Sequence, residues 1–225
     1  TADSSGNLFV ADSFNNTIRK VVLATGAVST IAGTAGMMGT ADGIGAAARF
    51  GSPSSVAADN AGSLFVADVA NNNIRQIVLS TGVVTTLVGA TGMLSSPFGI
   101  AADGKGNLYV ADTGTSSIRK VVIATGQVST IAGTAGFVGS TDGVGPAARF
   151  RVPYGVTIDA LGDVYVADTV NGTIRKIESS TANVSTVAGI ARQTGFKPGP
   201  TPGRMNSPIG LAPLPGGGLV IVDNA

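Results

Sequence analysis

The chain has 225 residues, a net charge of +1, and neither Cys nor His. Their absence excludes disulfides, thiol nucleophiles, His general bases and most zinc, copper or non-haem iron sites. Only 12% of the residues are charged, yet no apolar run approaches the ~18 residues that a membrane-spanning helix needs. With 33 glycines, the composition is typical of an all-β protein with frequent tight turns.

One phrase, which ends in Val-Ala-Asp or a close variant, recurs along the whole chain. Its copies are Gly6–Asp12, Gly62–Asp68, Gly106–Asp112, Gly162–Asp168 and Gly217–Asp223. The spacings between the closing Asp residues are 56, 44, 56 and 55. Self-similarity at such a period predicts a repeat architecture.

The first repeat predicts four short strands. In chain order it gives a strand at 7–12, a polar turn at 13–16, strands at 17–23 and 27–32, a glycine-rich loop up to Pro53, a strand at 54–58 and a turn at 59–62. The last repeat gives two strands, at 209–213 and 219–222. Repeated four-stranded antiparallel meanders predict a β-propeller.

Two halves of the chain are internal copies. Residues 6–59 and 106–159 align without gaps and are identical at 34 of 54 positions, which indicates duplication of a two-blade unit. We expect residues 1–225 to form one propeller domain that is incomplete at both ends, with four blade units and parts of two more. The expected structure is an arc of a larger ring, and a four-bladed ring closed by strand exchange is the alternative.

These motifs resemble the NHL repeat. The resemblance rests on Val-Ala-Asp, an Asn-containing turn and then Ile-Arg-Lys, as in Ile18–Lys20, Ile118–Lys120 and Ile174–Lys176. Asp42–Phe50 and Asp142–Phe150 are similar to loops of bacterial secreted and multidomain NHL proteins. The resemblance implies a ring of about six blades, in a family of binding platforms and a few enzymes.

Alternating strand direction places the Asn-rich turns and the long loops on one face. The long loops are 33–53, 133–153 and 189–208, whereas 89–97 is short. Because recognition usually uses loops on a rigid scaffold, we predict a ligand-binding surface on this mildly basic face. Its candidate residues are Asn15, Asn16, Asn71, Asn72, Arg49, Phe50, Arg149, Phe150 and Arg151. Phe50 and Phe150 are also expected to anchor their loops from beneath.

Two charged residues recur once per repeat, and each has two interpretations. The closing Asp residues either ring a pore and hold calcium or accept N–H groups of the turn that follows, which is favoured. The arginines either form a cationic ring or, as we favour, pair with a nearby Asp or lie across the blade. They are Arg19, Arg75, Arg119 and Arg175. The Asp-Gly-x-Gly segment lacks the lysine and following helix of a phosphate loop.

The sequence therefore predicts a non-enzymatic binding or scaffold module without a cofactor. We expect a protein or surface-glycan partner, contacts to missing blades or neighbouring domains of a longer chain, no membrane span, and an extracellular or cell-surface location. The alternatives are a calcium-dependent lactonase or lyase and weak binding of a polyanion or RNA. Nucleic acid ranks last because the excess charge is small and exposed aromatic residues for base stacking are few.

Overall fold

The computed structural model describes residues 1–89, 92–193, 195, 197, 199 and 203–224. Parts of two predicted loops lie outside this set: residues 90–91 of the short loop and residues 194, 196, 198 and 200–202 of the third long loop. The chain is all-β and divides into two compact units. The first comprises residues 1–108 and 122–127, and the second comprises 109–121 and 128–225.

The first unit begins with a three-stranded antiparallel sheet. Its strands β1 (Asn7–Asp12), β2 (Thr17–Val22) and β3 (Ala27–Ala32) are neighbours in chain order. A 3-10 turn joins β1 to β2 and ends at Asn16, whose φ of 55° is left-handed. Asn tolerates that conformation better than most residues. These strands match the predicted ones to within one residue.

A five-stranded sheet follows in the same unit. Its strands are β4 (Gly43–Ile44), β5 (Pro53–Ala58), β6 (Ser63–Asp68), β7 (Asn73–Val78) and β8 (Val83–Val88). They lie in the order β4-β8-β7-β6-β5. The strand predicted at 54–58 as the fourth of the first repeat is β5, and it pairs with β6 in this second sheet, which also has the additional short strand β4. The 33–53 segment was expected to be a loop, and β4 within it is a correction to that expectation.

The third and fourth repeats have strands of similar length. The third repeat consists of β9 (Pro97–Ala102), β10 (Asn107–Asp112), β11 (Ser117–Val122) and β12 (Gln127–Ala132). The second unit then adds β13 (Gly143–Val144), β14 (Pro153–Ile158), β15 (Val164–Asp168), β16 (Thr173–Ile177) and β17 (Asn183–Ala188). Their order is β13-β17-β16-β15-β14, as in the second repeat. A final antiparallel pair contains β18 (Pro208–Pro213) and β19 (Leu219–Asp223).

The core of the first unit is made by alternate residues of these strands and by two residues of the long loop, Ala48 and Phe50. Phe9, Ile18, Leu64 and Val66 are buried there, and Phe50 of the long loop is buried beside them. Burial of a phenylalanine side chain contributes about 1.5–3 kcal/mol. The long loop is thus attached to the core, which positions the rest of it.

Candidate functional site

The first long loop, which we call the first insertion (residues 33–53), is folded against both sheets of its unit. Its strand β4 pairs with β8, with Gly43 opposite Val84 and Ile44 opposite Val83. The Gly45 N–H donates to the Gly82 carbonyl, and the Gly45 carbonyl accepts the Gly33 N–H at the end of β3. The insertion therefore joins the last strands of two successive repeats.

A buried arginine closes the first insertion. Arg75 on β7 is fully buried, and its Nη2 lies 2.7 Å from the Asp42 carboxylate. Its Nη1 lies 3.3 Å from the Asp68 carboxylate at the end of β6. The same guanidinium donates to the Ala41 and Arg49 carbonyls. One cation thus binds the middle of the insertion at Ala41 and Asp42, its later part at Arg49, and the adjacent strand.

The second insertion, residues 133–153, is closed in the same way within the second unit. Arg175 is fully buried and lies 2.6 Å from Asp142 and 2.9 Å from Asp168. Its Nη atoms also donate to the Thr141 and Arg149 carbonyls. These contacts confirm the interpretation that Arg75 and Arg175 pair with nearby Asp residues. Because both are buried, they cannot present charge to a polyanion, and the cationic-ring reading is wrong for them.

The carboxylates of these clusters differ in exposure and in pKa. Burial raises the pKa of Asp168 to about 6, even though Arg151, Asn171 and Arg175 all donate to it. Burial likewise raises the pKa of Asp68. Burial alone would also raise the pKa of Asp42. Its half-exposed carboxylate accepts hydrogen bonds from Arg75 and Thr86, however, and together these bonds lower the pKa of Asp42 below its usual value. The clusters are therefore most sensitive to pH at the strand Asp.

Asp68, Asp168 and Asp223 have the favoured structural role, but their backbone donors differ from the prediction. Asp68 accepts the N–H of Gly51, and Asp168 accepts the N–H of Arg151. Asp223 accepts the N–H groups of Asn206 and Ser207. These donors lie just before the preceding strand, which is β5, β14 or β18. The prediction placed them in the turn that follows the Asp. The following turn contributes a side chain instead, since Asn71 donates to Asp68 and Asn171 to Asp168.

The same contacts bear on the calcium alternative. The carboxylates of Asp68 and Asp168 are surrounded by N–H donors and an arginine, which is the environment of an anion and the opposite of a cation site. Within the described ranges, no group of three or more Asp, Glu, Cys or His side chains is placed to hold a metal ion.

The structure corrects the prediction that the aromatic residues Phe50 and Phe150 contact a ligand. Both have no exposed surface, so neither can contact a ligand directly, and the expected anchoring role is the one observed. Each ring lies under an arginine of its cluster, at 5.3 Å from Arg75 and 5.1 Å from Arg175. Cation–π contact adds to the attachment of the insertion.

The candidate arginines Arg49 and Arg149 are half-buried, and their hydrogen bonds lie within their own insertions. Nη1 of Arg49 donates to the Ala46 and Ala48 carbonyls and to Thr34. Arg149 makes the equivalent bonds and also lies 5.6 Å from the Phe137 ring. These side chains stabilise the loop, so fewer of their N–H groups are available to bind a ligand. Arg151 has an exposed side chain, and its backbone N–H holds Asp168.

The asparagine candidates separate into two groups. Asn15 and Asn72 are exposed, whereas Asn16 is buried and accepts the Ser52 N–H. Asn71 is half-buried and donates to the Gly39 carbonyl and to Asp68. Asn16 and Asn71 therefore join the turn to the insertion. The prediction that Asn16 contacts a ligand is also corrected, because its side chain is buried.

Each insertion exposes an apolar pair at its tip. We define the tips as residues 36–40 and 136–140. Met37 and Met38 are 50% and 65% exposed, and Phe137 and Val138 are each 61% exposed. Sequence reasoning missed these residues, although Gly36-Met-Met-Gly39 and Gly136-Phe-Val-Gly139 signal an apolar dipeptide in a tight turn.

The tips are held in a defined conformation. Met37 N–H donates to the Thr34 carbonyl, and Gly39 N–H donates to the carbonyl of the buried Phe50. Phe137 and Gly139 repeat both bonds in the second insertion. In the first unit, Gly36 N–H also donates to the Asn15 carbonyl at 3.2 Å, which confirms that turn and insertion share one side of the sheet. Large apolar side chains are therefore displayed on a braced turn.

No helix within the described residues is long and apolar enough to cross a membrane.

The comparisons with known sequences match parts of the chain. Residues 150–177 match the family model of the NHL repeat. An 83-residue stretch, 36% of this chain, is 36% identical to Protein SUPPRESSOR OF QUENCHING 1, chloroplastic, of Arabidopsis thaliana. That stretch spans 8% of the plant protein.

Solved structures match nearly the whole chain. A chain of the nidogen/laminin complex has a TM-score of 0.72 at 18% identity, with 98% of this chain and 69% of that chain covered. An auxiliary nutrient binding protein from Bacteroides ovatus has a TM-score of 0.64 at 16% identity, with coverage of 93% and 61%. Virginiamycin B lyase from Staphylococcus aureus has a TM-score of 0.65 at 15% identity, with coverage of 99% and 61%.

Likeness at these identities establishes the fold and leaves the activity open, because one fold hosts many functions. The neighbours are β-propellers, which agrees with the antiparallel sheets of both units and confirms the predicted fold class. The resemblance read from the repeated motifs is confirmed as well: the chain carries the NHL repeat, matched at residues 150–177, on a β-propeller fold.

Proposed function

We propose that residues 1–225 act as a non-enzymatic recognition module that binds protein through an exposed insertion tip, with one such tip in each unit. The observation that carries the proposal is the exposure of Met37, Met38, Phe137 and Val138 on loops whose remaining residues are bonded to the scaffold. Exposed apolar groups on a rigid frame suit protein recognition, because little ordering entropy is lost on binding.

The composition of the tips favours a protein over a glycan. Methionine adapts its shape to an apolar surface, and aromatic side chains are enriched in protein interfaces. The two insertions keep their bracing residues Asp42/Asp142 and Arg49/Arg149, whereas the tip pairs change from Met-Met to Phe-Val. The insertions also differ at positions 40, 41, 44, 46, 51 and 52, but both tip pairs remain large and apolar, which suits protein recognition.

The second unit also carries exposed cations. Arg151, Arg192 and Arg204 are exposed there, and a partner with an acidic rim would suit them because rim charges raise the association rate. An auxiliary nutrient binding protein is among the structural neighbours, and we propose an extracellular or cell-surface location. A lyase is also a neighbour, but the saturated carboxylates of Asp68 and Asp168 favour binding over metal-dependent chemistry.

Site-specific photo-cross-linking in cells that make the natural protein tests this function. A benzophenone amino acid replaces Met38 in the first unit and Val138 in the second. The matched controls are Leu23 and Leu161, which are 59% and 79% exposed at other turns of the same units. We expect a discrete protein adduct from the two tip positions. Adducts of equal yield from Leu23 and Leu161, or none from either tip, would contradict the proposal.

A further inference from the structure

A cleft lies between the first and second sheets of the first unit, away from both long-loop tips. Its volume is about 340 Å³, and pockets that hold small ligands in proteins begin at about 300 Å³. The first sheet contributes Asp3, Phe9, Lys20 and Ile31 to its lining, and the second sheet contributes Ile77 and Leu79. The cleft is therefore large enough for a small molecule.

The floor of the cleft is apolar. Phe9 and Ile77 are buried, and Ile31 and Leu79 are half-buried and pack against the core of the unit. Covering the remaining apolar surface of such side chains is favourable by about 25 cal/mol per Å². The floor thus suits a short aliphatic chain.

A lysine in the lining has no bonded partner. Lys20 is half-buried, and its ammonium makes no hydrogen bond or ion pair within the described part of the chain. The residues at the same position of the second and fourth repeats are both satisfied. Gln76 donates to Ser63, and Lys176 lies 2.7 Å from Asp163. The charge of Lys20 is thus available to a ligand.

A carboxylate in the same lining is fixed by its own turn. Oδ1 of Asp3 accepts the N–H groups of Ser5 and Asn7, and Oδ2 accepts only the Asn7 side-chain amide, which leaves Oδ2 able to accept a further bond. The bonds from Asn7, with smaller contributions from Ser5 and from the charge of Lys20, keep the pKa of Asp3 below its usual value.

The two charges do not satisfy each other. Among the described residues, Asp3 and Lys20 form no ion pair, although both line the one cleft. Two opposite charges that remain apart beside an apolar floor are complementary to a ligand that carries both charges and an apolar group. A free amino acid with an aliphatic side chain has all three features.

We propose that this cleft binds a free aliphatic α-amino acid in its zwitterionic form. The carboxylate of the ligand binds Lys20, its ammonium binds Asp3, and its side chain lies on Ile31, Ile77 and Leu79. Charge-assisted bonds select a ligand that has both charges. The site uses none of the tip residues, so it stands independently of the proposed function.

L-leucine is the probe, titrated into protein with labelled Ile and Leu methyl groups and followed by NMR. Three analogues each remove one contact: 4-methylpentanoate lacks the ammonium, 3-methylbutylamine lacks the carboxylate and glycine lacks the side chain. The variant Lys20→Gln copies the glutamine found at the same position of the second repeat, so it should fold. Lys105→Gln, at an exposed turn of the same unit, is the matched control for the loss of one positive charge.

We expect L-leucine to shift the methyl signals of Ile31, Ile77 and Leu79 to saturation, and each analogue to bind at least about 10-fold more weakly. Lys20→Gln should weaken leucine binding by a similar factor, and Lys105→Gln should leave it unchanged. The proposal is overturned if these signals do not move at tens of millimolar leucine, or if 4-methylpentanoate or 3-methylbutylamine binds as tightly as leucine. It is also overturned if Lys20→Gln, with the spectrum of a folded protein, binds leucine as tightly as Lys105→Gln does.

Discussion

The second and fourth repeats use their recurring arginine differently from the first and third. Arg75 and Arg175 are fully buried between two carboxylates, one from an insertion and one from the preceding strand. Arg19 and Arg119 are partly exposed and donate to Thr30 and Thr130. The same Ile-Arg motif is therefore a surface element or a buried anchor, depending on whether an insertion precedes its repeat.

The difference teaches that an insertion and its receiving repeat form one structural feature. A buried arginine requires both partners, because an uncompensated buried charge is strongly destabilising. The partly exposed Arg19, bonded to Thr30, has no such requirement, since exposed polar pairs contribute little. Substitutions at equivalent positions should therefore have unequal effects, and this inequality is measurable.

The largest expected effect is that of Arg175→Met. The substitution leaves Asp168 buried and Asp142 without its cation, and we expect a loss of about 3–5 kcal/mol in the free energy of unfolding. The matched control Arg19→Met should lose about 1 kcal/mol or less. Urea unfolding of both variants gives the comparison, and equal losses would remove the distinction between the two kinds of repeat.

A second difference concerns pH. The folded-state pKa of Asp168 is about 6, above the value near 4 expected for the unfolded chain. Between these pH values the folded state holds more protons at Asp168, so this carboxyl makes the unfolding free energy fall as pH rises, by no more than about 3 kcal/mol. The contribution is level below about pH 4 and above about pH 6.

Asp168→Asn isolates that contribution. The carboxylates of Asp3, Asp42 and Asp163 have lowered pKa values, so they act in the opposite direction and make stability rise with pH. Those carboxylates act mainly below about pH 4, whereas Asp68, whose pKa is raised by burial, acts in the same direction as Asp168. Removal of Asp168 should therefore leave a profile that falls less between pH 4 and 6. Parallel profiles for the two proteins, measured by urea unfolding, would show that this carboxyl does not titrate in the window.

The smallest expected stability change comes from the base of the second insertion, at Gly133. Gly133 has a φ of +85°, and a Cβ there would lie 2.9 Å from the Ser116 carbonyl oxygen. Gly133→Ala should cost about 1–3 kcal/mol through strain, with the steric contact added. Gly136 at the tip has a similar φ of +80° but nothing within 4 Å, so Gly136→Ala should cost less. The two thermal unfolding midpoints decide, and a greater loss at Gly136 would contradict the tight anchoring of the insertion base.

The strands of each repeat were predictable because their signals are local. Alternating apolar residues and Asn or Gly turns place β1 and β6 almost to the residue. The insertion was not predictable in the same way. β4 has two residues, and its pairing with β8 depends on a chain segment about forty residues away. The contact of Asp42 with Arg75 likewise joins residues far apart in sequence.

The candidate site was predictable in location and less so in residues. Opposite strand directions placed the turns and insertions together, as the bond from Gly36 to Asn15 confirms. Phe50 and Met38 are both apolar residues of one loop, and sequence alone does not distinguish the buried one from the exposed one. That distinction depends on which side chain meets the core of the neighbouring sheet.

Amide hydrogen exchange of the second insertion, followed by NMR, tests the central claim that the Arg–Asp cluster holds this loop as a rigid frame. The N–H groups of Gly133, Gly145 and Arg149 donate to backbone carbonyls, and we predict slow exchange for them in the unmodified protein. In Asp142→Asn the same three amides should exchange at least 10-fold faster, while those of β16 remain protected. Equal exchange rates in both proteins, or unprotected amides in the unmodified protein, would contradict the account.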